Sequence, residues 1–204
     1  MRRTKEEAAI TREQLLKKAL NVFSKKGYVA TTLEDIAREA EVTRGAIYWH
    51  FGSKADLYNT LIREYADRGN LIIQHAVAEG GTLLDILRRV FVEQLQAIEE
   101  DREMRALMEL ALFKTGLVPE LEEGRQQQIQ SSVALIDMLS GIMKQGLDQG
   151  LLQSELDPKE MARAYLAFQN GLIHLWLAQP EQFSLKASAE AFADILMKGL
   201  QSRK

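Results

Sequence analysis

The chain has 204 residues, and its 26 Lys or Arg against 29 Asp or Glu give a net charge of −3. It contains no Cys, which excludes disulfides and thiolate metal sites and is typical of a reducing compartment. Apolar residues make up 46% of the chain, enough to build one large or two modest hydrophobic cores.

No apolar run approaches the roughly 18–20 residues that span a bilayer, and the charged N-terminus has no apolar signal segment behind it. We therefore expect a soluble, cytoplasmic protein with no membrane partner. The charge is unevenly distributed: residues 1–55 carry 11 basic against 7 acidic residues, and the rest of the chain is acidic. A basic head on an acidic body is expected if the N-terminal end binds phosphates.

The first predicted helix runs from Glu6 to Lys26. Its apolar residues recur at helical spacing, with Leu16, Leu20 and Phe23 on one face. Gly27 follows directly and is the residue type that most often ends a helix.

A second, short helix is predicted after Thr32, a favourable N-cap whose capping-box partner would be Asp35. Its apolar residues again follow the i, i+3, i+4, i+7 rule. Thr43 is a second N-cap, so only three or four residues separate this helix from the next. Two short helices around such a turn are typical of a helix-turn-helix motif.

The third helix divides into two arcs. Ile47 and Phe51 point towards the first two helices, whereas Arg44, Gly45, Tyr48 and Trp49 share the other arc. Exposed clustered aromatics usually mark an interaction surface, and a basic residue at the helix start suits DNA. The candidate DNA-binding residues are Thr32, Thr43, Arg44, Gly45, Tyr48, Trp49, His50 and Lys54. We expect Arg44 to reach a base edge or phosphate, and Tyr48, His50 and Lys54 to contact phosphates.

The remaining chain predicts further helices and no strands. A fourth helix starts after Ser53 and runs into Val77, and Gly80-Gly81 then breaks the chain. Additional helices are predicted at about 83–100, 103–115, 120–149, 158–178 and 185–201. The fold class is therefore all-α, with a three-helix helix-turn-helix head in residues 1–55 and a larger helical domain in residues 56–204.

The segment VTRGAIYWHFGSKADL closely resembles the recognition helix of the tetracycline-repressor (TetR) family of bacterial transcriptional regulators. The opening RRTKEEA…TR, the segment GY…TTLEDIA and the later NGLIHLWL…P…F resemble its AcrR-like branch, repressors of multidrug efflux pumps. The resemblance implies a homodimer that binds an inverted-repeat DNA operator and is released by a small effector. It also implies that residues 56–204 form the ligand-binding and dimerisation domain.

Candidates for effector binding lie among the large apolar residues between 83 and 178, most of which we expect in the core. Phe91, Leu95 and Phe168 belong to this set. The resemblance adds Met108, Leu112, Gln169, Ile173 and His174. We expect His174 to lean towards the effector and Gln169 to lie between the effector site and the dimer seam. AcrR-like relatives tend to carry polar, His-rich residues at the positions of Leu112 and Phe113, so this effector is expected to be more apolar than theirs, or simply different.

The last two helices carry more apolar residues than one bundle face can hide, and two such hairpins could form a four-helix dimer interface. The residues expected at this interface are Ala162, Tyr165, Leu166, Gln169, Leu172, Ile173, Ala189, Phe192, Ala193, Leu196 and Leu200.

No catalytic, metal or cofactor site is predicted. The three histidines, His50, His75 and His174, are scattered, without an HExxH motif, and we expect no nearby carboxylate at ligand spacing. Two alternatives remain open: a TetR-type regulator of lipid or other metabolism that senses an acyl-type ligand, and a helical small-molecule carrier or enzyme with a vestigial head.

Overall fold

The computed structural model describes residues 5–153 and 155–200. Over these residues the fold is all-α, as predicted, with nine α-helices, one short 3-10 helix and no strand. No described helix is long and apolar enough to cross a membrane. The 3-10 helix is Pro119–Leu121, and the α-helices are α1 (Lys5–Ala30), α2 (Leu33–Glu39), α3 (Arg44–Phe51), α4 (Lys54–Ala78), α5 (Leu83–Glu100), α6 (Arg102–Phe113), α7 (Glu122–Asp148), α8 (Pro158–Ala178) and α9 (Leu185–Leu200).

The predicted helix bounds agree with these to within a few residues. The predicted end of α9, residue 201, lies outside the described residues. Gly27, with φ 76° and ψ 166°, interrupts α1 where the sequence predicts its end. The helical turn that follows Gly27 extends α1 to Ala30.

The predicted caps start the helices. The Thr32 hydroxyl accepts a hydrogen bond from the Asp35 amide (3.1 Å), and the Thr32 amide donates one to the Asp35 carboxylate (3.2 Å). This capping box starts α2. Thr43 accepts from the Ala46 amide at 3.2 Å and starts α3, and Asp157 caps α8 in the same way.

The helices form two compact units, one of residues 5–67 with 103–124 and the other of residues 68–102 with 125–153 and 155–200. This division differs from the predicted single boundary after residue 55. The physical reason is that Leu107 and Leu110 of α6, together with Leu121, are buried in the same hydrophobic cluster as the helix-turn-helix.

Polar contacts also tie the segment after α6 to the helix-turn-helix within the first unit. The Tyr28 amide donates to the Lys114 carbonyl (2.8 Å), and the hydroxyls of Tyr58 and Thr115 share a 2.8 Å hydrogen bond. A Cβ at Gly27 would lie 3.0 Å from the same Lys114 carbonyl oxygen. Gly27 therefore provides both the positive φ and the close approach of two backbones.

The second unit is built on α5, which packs against α9 and α8. The Tyr165 hydroxyl of α8 donates to the Leu87 carbonyl of α5 at 2.9 Å. At the surface, Arg88 of α5 forms ion pairs with Glu190 (2.6 Å) and Asp194 (2.5 Å) of α9.

Candidate DNA-binding surface and effector-binding residues

Helix α3 shows the two arcs that its sequence predicts. Ile47 and Phe51 are buried in the core of the first unit, only 1% and 9% exposed. On the opposite side Tyr48 is 43% exposed and Trp49 is 73% exposed. An indole with this exposure in a folded domain indicates an interaction surface.

Arg44, at the start of α3, is held by neighbours within the head. One terminal nitrogen lies 2.5 Å from the Glu34 carboxylate, and the other donates to the Tyr48 hydroxyl at 2.7 Å. The guanidinium also lies over the Tyr48 ring, 5.2 Å from its centroid. The hydrogen bond to Tyr48 and the charge of Glu34 raise the pKa of Arg44, which is therefore a permanent cation at this surface.

The other predicted residues of this arc divide by exposure. Thr32, Thr43 and Gly45 are exposed, and a Cβ at Gly45 would meet nothing closer than the Thr43 hydroxyl at 3.8 Å. The fold therefore does not require glycine at position 45, so its small size can serve a close approach from outside. His50 is half-buried, its ring edge-on to Trp49 with 4.5 Å between centroids.

Asp35 gathers two basic side chains next to the α2 N-terminus. Lys26 lies 2.8 Å and Arg38 2.6 Å from its carboxylate. The hydrogen bond from Lys26, followed by those from Thr32, holds the pKa of Asp35 well below its usual range. These contacts fix Lys26 and Arg38 beside the helix-turn-helix.

Lys54 does not lie where the sequence predicts. Its ammonium group donates to the carbonyls of Tyr28 (3.2 Å) and Thr31 (3.1 Å), and it lies 4.3 Å from the Tyr28 ring centroid. Glu120 lies 3.7 Å from the same ammonium and accepts a hydrogen bond from the Tyr28 hydroxyl. These partners bind the ammonium inside the first unit, so we propose that Lys54 mainly positions the head, whereas the sequence predicts a phosphate contact.

Sequence reasoning missed Glu34. Its signal was available: Glu34 is the second residue after the Thr32 cap, and Arg44 is the first after the Thr43 cap. In a helix-turn-helix the starts of both helices can lie close to the DNA backbone. The positions of both residues near helix starts indicate a common surface, whereas their pairing depends on how α2 packs against α3.

Several candidate effector residues cluster in the second unit. Phe91 and Leu95 of α5 are fully buried, and the Phe91 ring stacks on Phe168 of α8 with 5.9 Å between centroids. Gln169 and Ile173, one turn apart on α8, are each 4% exposed. The Gln169 amide nitrogen is buried without a hydrogen-bond partner. A buried donor without an acceptor costs about 1–3 kcal/mol, so it is a reasonable position for a ligand contact.

The two effector candidates on α6, Met108 and Leu112, belong to the first unit. Met108 is half-buried, and Leu112 is 46% exposed near the end of α6.

His174 lies on the exposed face of α8, in contrast to Gln169 and Ile173. The sequence predicts that His174 leans towards the effector and that Gln169 lies between the effector site and the dimer seam, whereas the structure exposes His174 and buries Gln169. The reason is the phase of the helix: Gln169 falls on the side of α8 that is buried with Tyr165, and His174 is about 140° away.

The predicted dimer face is corrected in the same way. Most of its residues are buried within the chain, because this side of α8 and α9 packs on α5. A different apolar stripe is exposed on each helix. It consists of Ala164, Ala167, Gly171, Leu175 and Ala178 on α8 and of Ala187, Ala191 and Ile195 on α9.

His75 has two carboxylates nearby, contrary to the prediction from the sequence. Glu79, one turn later on α4, lies 3.6 Å from the imidazole, and Glu93 of α5 lies 3.7 Å from it. Arg89 binds the other oxygen of Glu79 at 2.8 Å. Among the described residues, His75, Glu79 and Glu93 thus form an exposed polar cluster, and Arg89 supplies its cation.

A cleft of about 390 Å³ lies beside this cluster. It is lined mainly by charged or polar residues, namely Asp85, Arg88, Arg89, Val92, Glu93, Gln96 and Glu190. This lining does not suit an apolar effector.

Two capped helices around a tight turn, with a basic and aromatic arc exposed on the second, define a helix-turn-helix DNA-binding protein. Residues 15–61 match the model of bacterial regulatory proteins of the tetR family, and residues 82–202 match the C-terminal region of MAATS-type transcriptional repressors. The chain belongs to the TetR family of transcriptional regulators, which confirms the resemblance seen in its sequence.

Known proteins are similar over almost the whole chain. The HTH-type transcriptional regulator AcrR of Shigella flexneri is 32% identical over 198 residues, covering 97% of this chain and 92% of AcrR. The crystal structure of NalD, the secondary repressor of the MexAB-OprM multidrug efflux pump in Pseudomonas aeruginosa, matches with a TM-score of 0.87 and 26% identity, covering 98% of this chain and 100% of NalD. A SmeT–triclosan complex matches with a TM-score of 0.80 and 27% identity, covering 95% of this chain and 92% of SmeT.

Proposed function

We propose that this protein represses a multidrug efflux system by binding an inverted-repeat operator as a homodimer, and that a small, mainly apolar effector releases it. The observation that carries the proposal is the exposed arc of α3, where Arg44, Tyr48 and Trp49 face outwards from a firmly capped motif. The efflux assignment is supported by the similarity to NalD, a repressor of such a pump.

The exposed apolar stripe of α8 and α9 supports the dimer. Its small residues allow two helix pairs to approach closely, and Leu175 and Ile195, each at least 60% exposed, would be buried on association. A symmetric dimer would place two α3 helices about 34–36 Å apart, one helical turn of DNA.

The aromatic and amide groups around Gln169 support the effector assignment. Phe91 and Phe168 offer stacked rings, and the Gln169 amide nitrogen offers a donor. An apolar compound that carries one or two oxygen acceptors fits this combination. The triclosan bound to the similar SmeT is a compound of this general kind.

Release would be a population shift. Helices α4 and α7 each contribute residues to both compact units, and α6 packs into the head core through Leu107 and Leu110. An effector that favours one position of these helices would change the separation of the two heads. A coupling of about 1–3 kcal/mol would change operator affinity roughly 5- to 150-fold.

Mobility-shift titration tests the DNA site, with a duplex selected by the wild-type protein from a random pool. Arg44→Ala should weaken binding at least about tenfold without lowering the melting temperature by more than about 2 °C. Lys144→Ala, which removes an exposed cation on α7, is the matched control and should bind normally. Unchanged affinity of Arg44→Ala would refute the assignment.

Triclosan titrated into the protein–operator complex tests the effector site. Gln169→Leu should respond more weakly while its stability is equal or higher, because the buried donor without an acceptor has been removed. His174→Ala should respond to triclosan like the wild type. If the substitution has an effect, sedimentation should show it as weaker dimerisation. A normal triclosan response of Gln169→Leu would contradict the assignment, and release by acyl-coenzyme A alone would favour the metabolic alternative.

A further inference from the structure

The contact between Arg44 and Glu34 has consequences for how the protein discriminates between DNA sequences, provided that Arg44 contacts DNA as proposed above. Both terminal nitrogens of the Arg44 guanidinium are occupied within the head, one by the Glu34 carboxylate and one by the Tyr48 hydroxyl. Each of these nitrogens keeps a second N–H for a DNA acceptor, but the Glu34 carboxylate already offsets the guanidinium charge that would attract a phosphate.

Glu34 is not part of the capping box that starts α2, although as an acidic residue of the first turn it suits the helix dipole. The capping box uses Asp35, whereas the Glu34 carboxylate contacts Arg44 across ten residues of sequence. Both side chains are about half exposed, so the pair lies at the surface that faces DNA and can separate without unpacking the core.

We propose that Glu34 is a specificity-determining residue that competes with DNA phosphates for Arg44. A phosphate that binds Arg44 either displaces the Glu34 carboxylate or lies beside it, and in both cases two anions are close together, so the net gain in binding free energy is small. A base edge that accepts from both nitrogens, such as the O6 and N7 atoms of guanine, also fixes the orientation of the guanidinium. Glu34 thereby weakens binding to random DNA more than binding to the operator.

The test compares a duplex selected by the wild-type protein with a scrambled duplex of the same composition, from about 50 mM to about 200 mM salt. Glu34→Gln should raise the affinity for scrambled DNA about threefold per head, in keeping with an exposed ion pair, and thus about tenfold for a dimer. Its salt dependence on scrambled DNA should steepen by about 0.9 per head. The affinity for the selected duplex should rise less, so that the specificity ratio falls.

Glu41→Gln is the matched control, because it removes the same charge from the exposed turn of the motif without touching Arg44. It should leave the specificity ratio unchanged. In an Arg44→Ala background, Glu34→Gln should also leave the ratio unchanged, since the competition requires the guanidinium.

The inference is overturned if Glu34→Gln raises both affinities equally or neither. It is also overturned if Glu41→Gln lowers the ratio as much, or if the effect persists without Arg44. A wild-type protein that selects no sequence, or an Arg44→Ala variant with normal operator affinity, would instead refute the proposed function on which this inference rests.

Discussion

Replacement of Lys54 by methionine separates an internal role from a DNA contact. Methionine keeps an unbranched apolar stem, so the loss is mainly that of the ammonium group. The change leaves the carbonyls of Tyr28 and Thr31 without this donor and removes the cation above the Tyr28 ring.

The expected magnitude follows from this geometry. The two hydrogen bonds, at 3.2 Å and 3.1 Å, are at the long end of the normal range, so each is expected to contribute about 1 kcal/mol. The ring contact at 4.3 Å adds about 0.5–1 kcal/mol. Lys54→Met should therefore lower the free energy of unfolding by about 2.5–3 kcal/mol, or the melting temperature by roughly 5–12 °C.

Thermal and urea unfolding measure the loss, and Lys25→Met is the control because Lys25 is an exposed residue of α1. The free energy of unfolding of Lys25→Met should stay within about 0.5 kcal/mol of the wild-type value. Operator binding is measured in parallel over a salt series. An unchanged melting temperature together with a salt slope reduced by about 0.9 per head would show that Lys54 contacts a phosphate, and would refute this reasoning.

Three further predictions concern the backbone and the caps of the helix-turn-helix and its neighbours. Glu41 has φ 55° in the turn between α2 and α3, a conformation that strains a residue other than glycine. Glu41→Gly should therefore raise the free energy of unfolding by about 0.5–1 kcal/mol in urea titrations. A lower free energy of unfolding would contradict this strain. Gly27→Ala should lower the melting temperature clearly more than Gly80→Ala. Both positions have positive φ, but only at Gly27 would the new Cβ lie 3.0 Å from a backbone carbonyl oxygen. Equal melting temperatures of the two variants would contradict this close approach. The hydrogen bond from Lys26 is the main reason why the pKa of Asp35 is lowered in the folded protein. The ionised carboxylate therefore stabilises the fold above about pH 4, the usual pKa of an unfolded Asp. This contribution is lost as the pH falls through the lower folded-state pKa. Asp35→Asn should therefore lower stability at neutral pH and flatten its decline in acid, as measured by unfolding from about pH 7 downwards; a parallel pH profile would exclude this role.

The sequence alone determined the helices and their ends, because those depend on interactions within a few residues. Thr32 with Asp35, and Thr43, are capping residues that act on the next turn of chain, and the structure confirms them. Gly27 ends the first straight segment through its own backbone freedom. The periodicity of α3 likewise determined that Ile47 faces inwards and Trp49 outwards.

Only the tertiary structure decided the contacts that join distant parts of the chain. The pairing of Glu34 with Arg44, and the capture of the Lys54 ammonium by the carbonyls of Tyr28 and Thr31, depend on how α1, α2, α3 and α4 pack. A charged residue next to a DNA-binding motif has the same local pattern whether it binds a phosphate or a backbone carbonyl.

Helix α8 shows most clearly that a local sequence pattern does not determine tertiary contacts. Two of its sides are largely apolar, one with Tyr165 and Ile173 beside Gln169 and the other with Ala167 and Leu175. Helical phase determines which residues share a side, but it does not determine which side packs on α5 when both are apolar. Packing on α5 buried the side of Gln169 and left that of His174 and Leu175 exposed, because burial depends on the shape and area of the neighbouring helix and not on α8 alone.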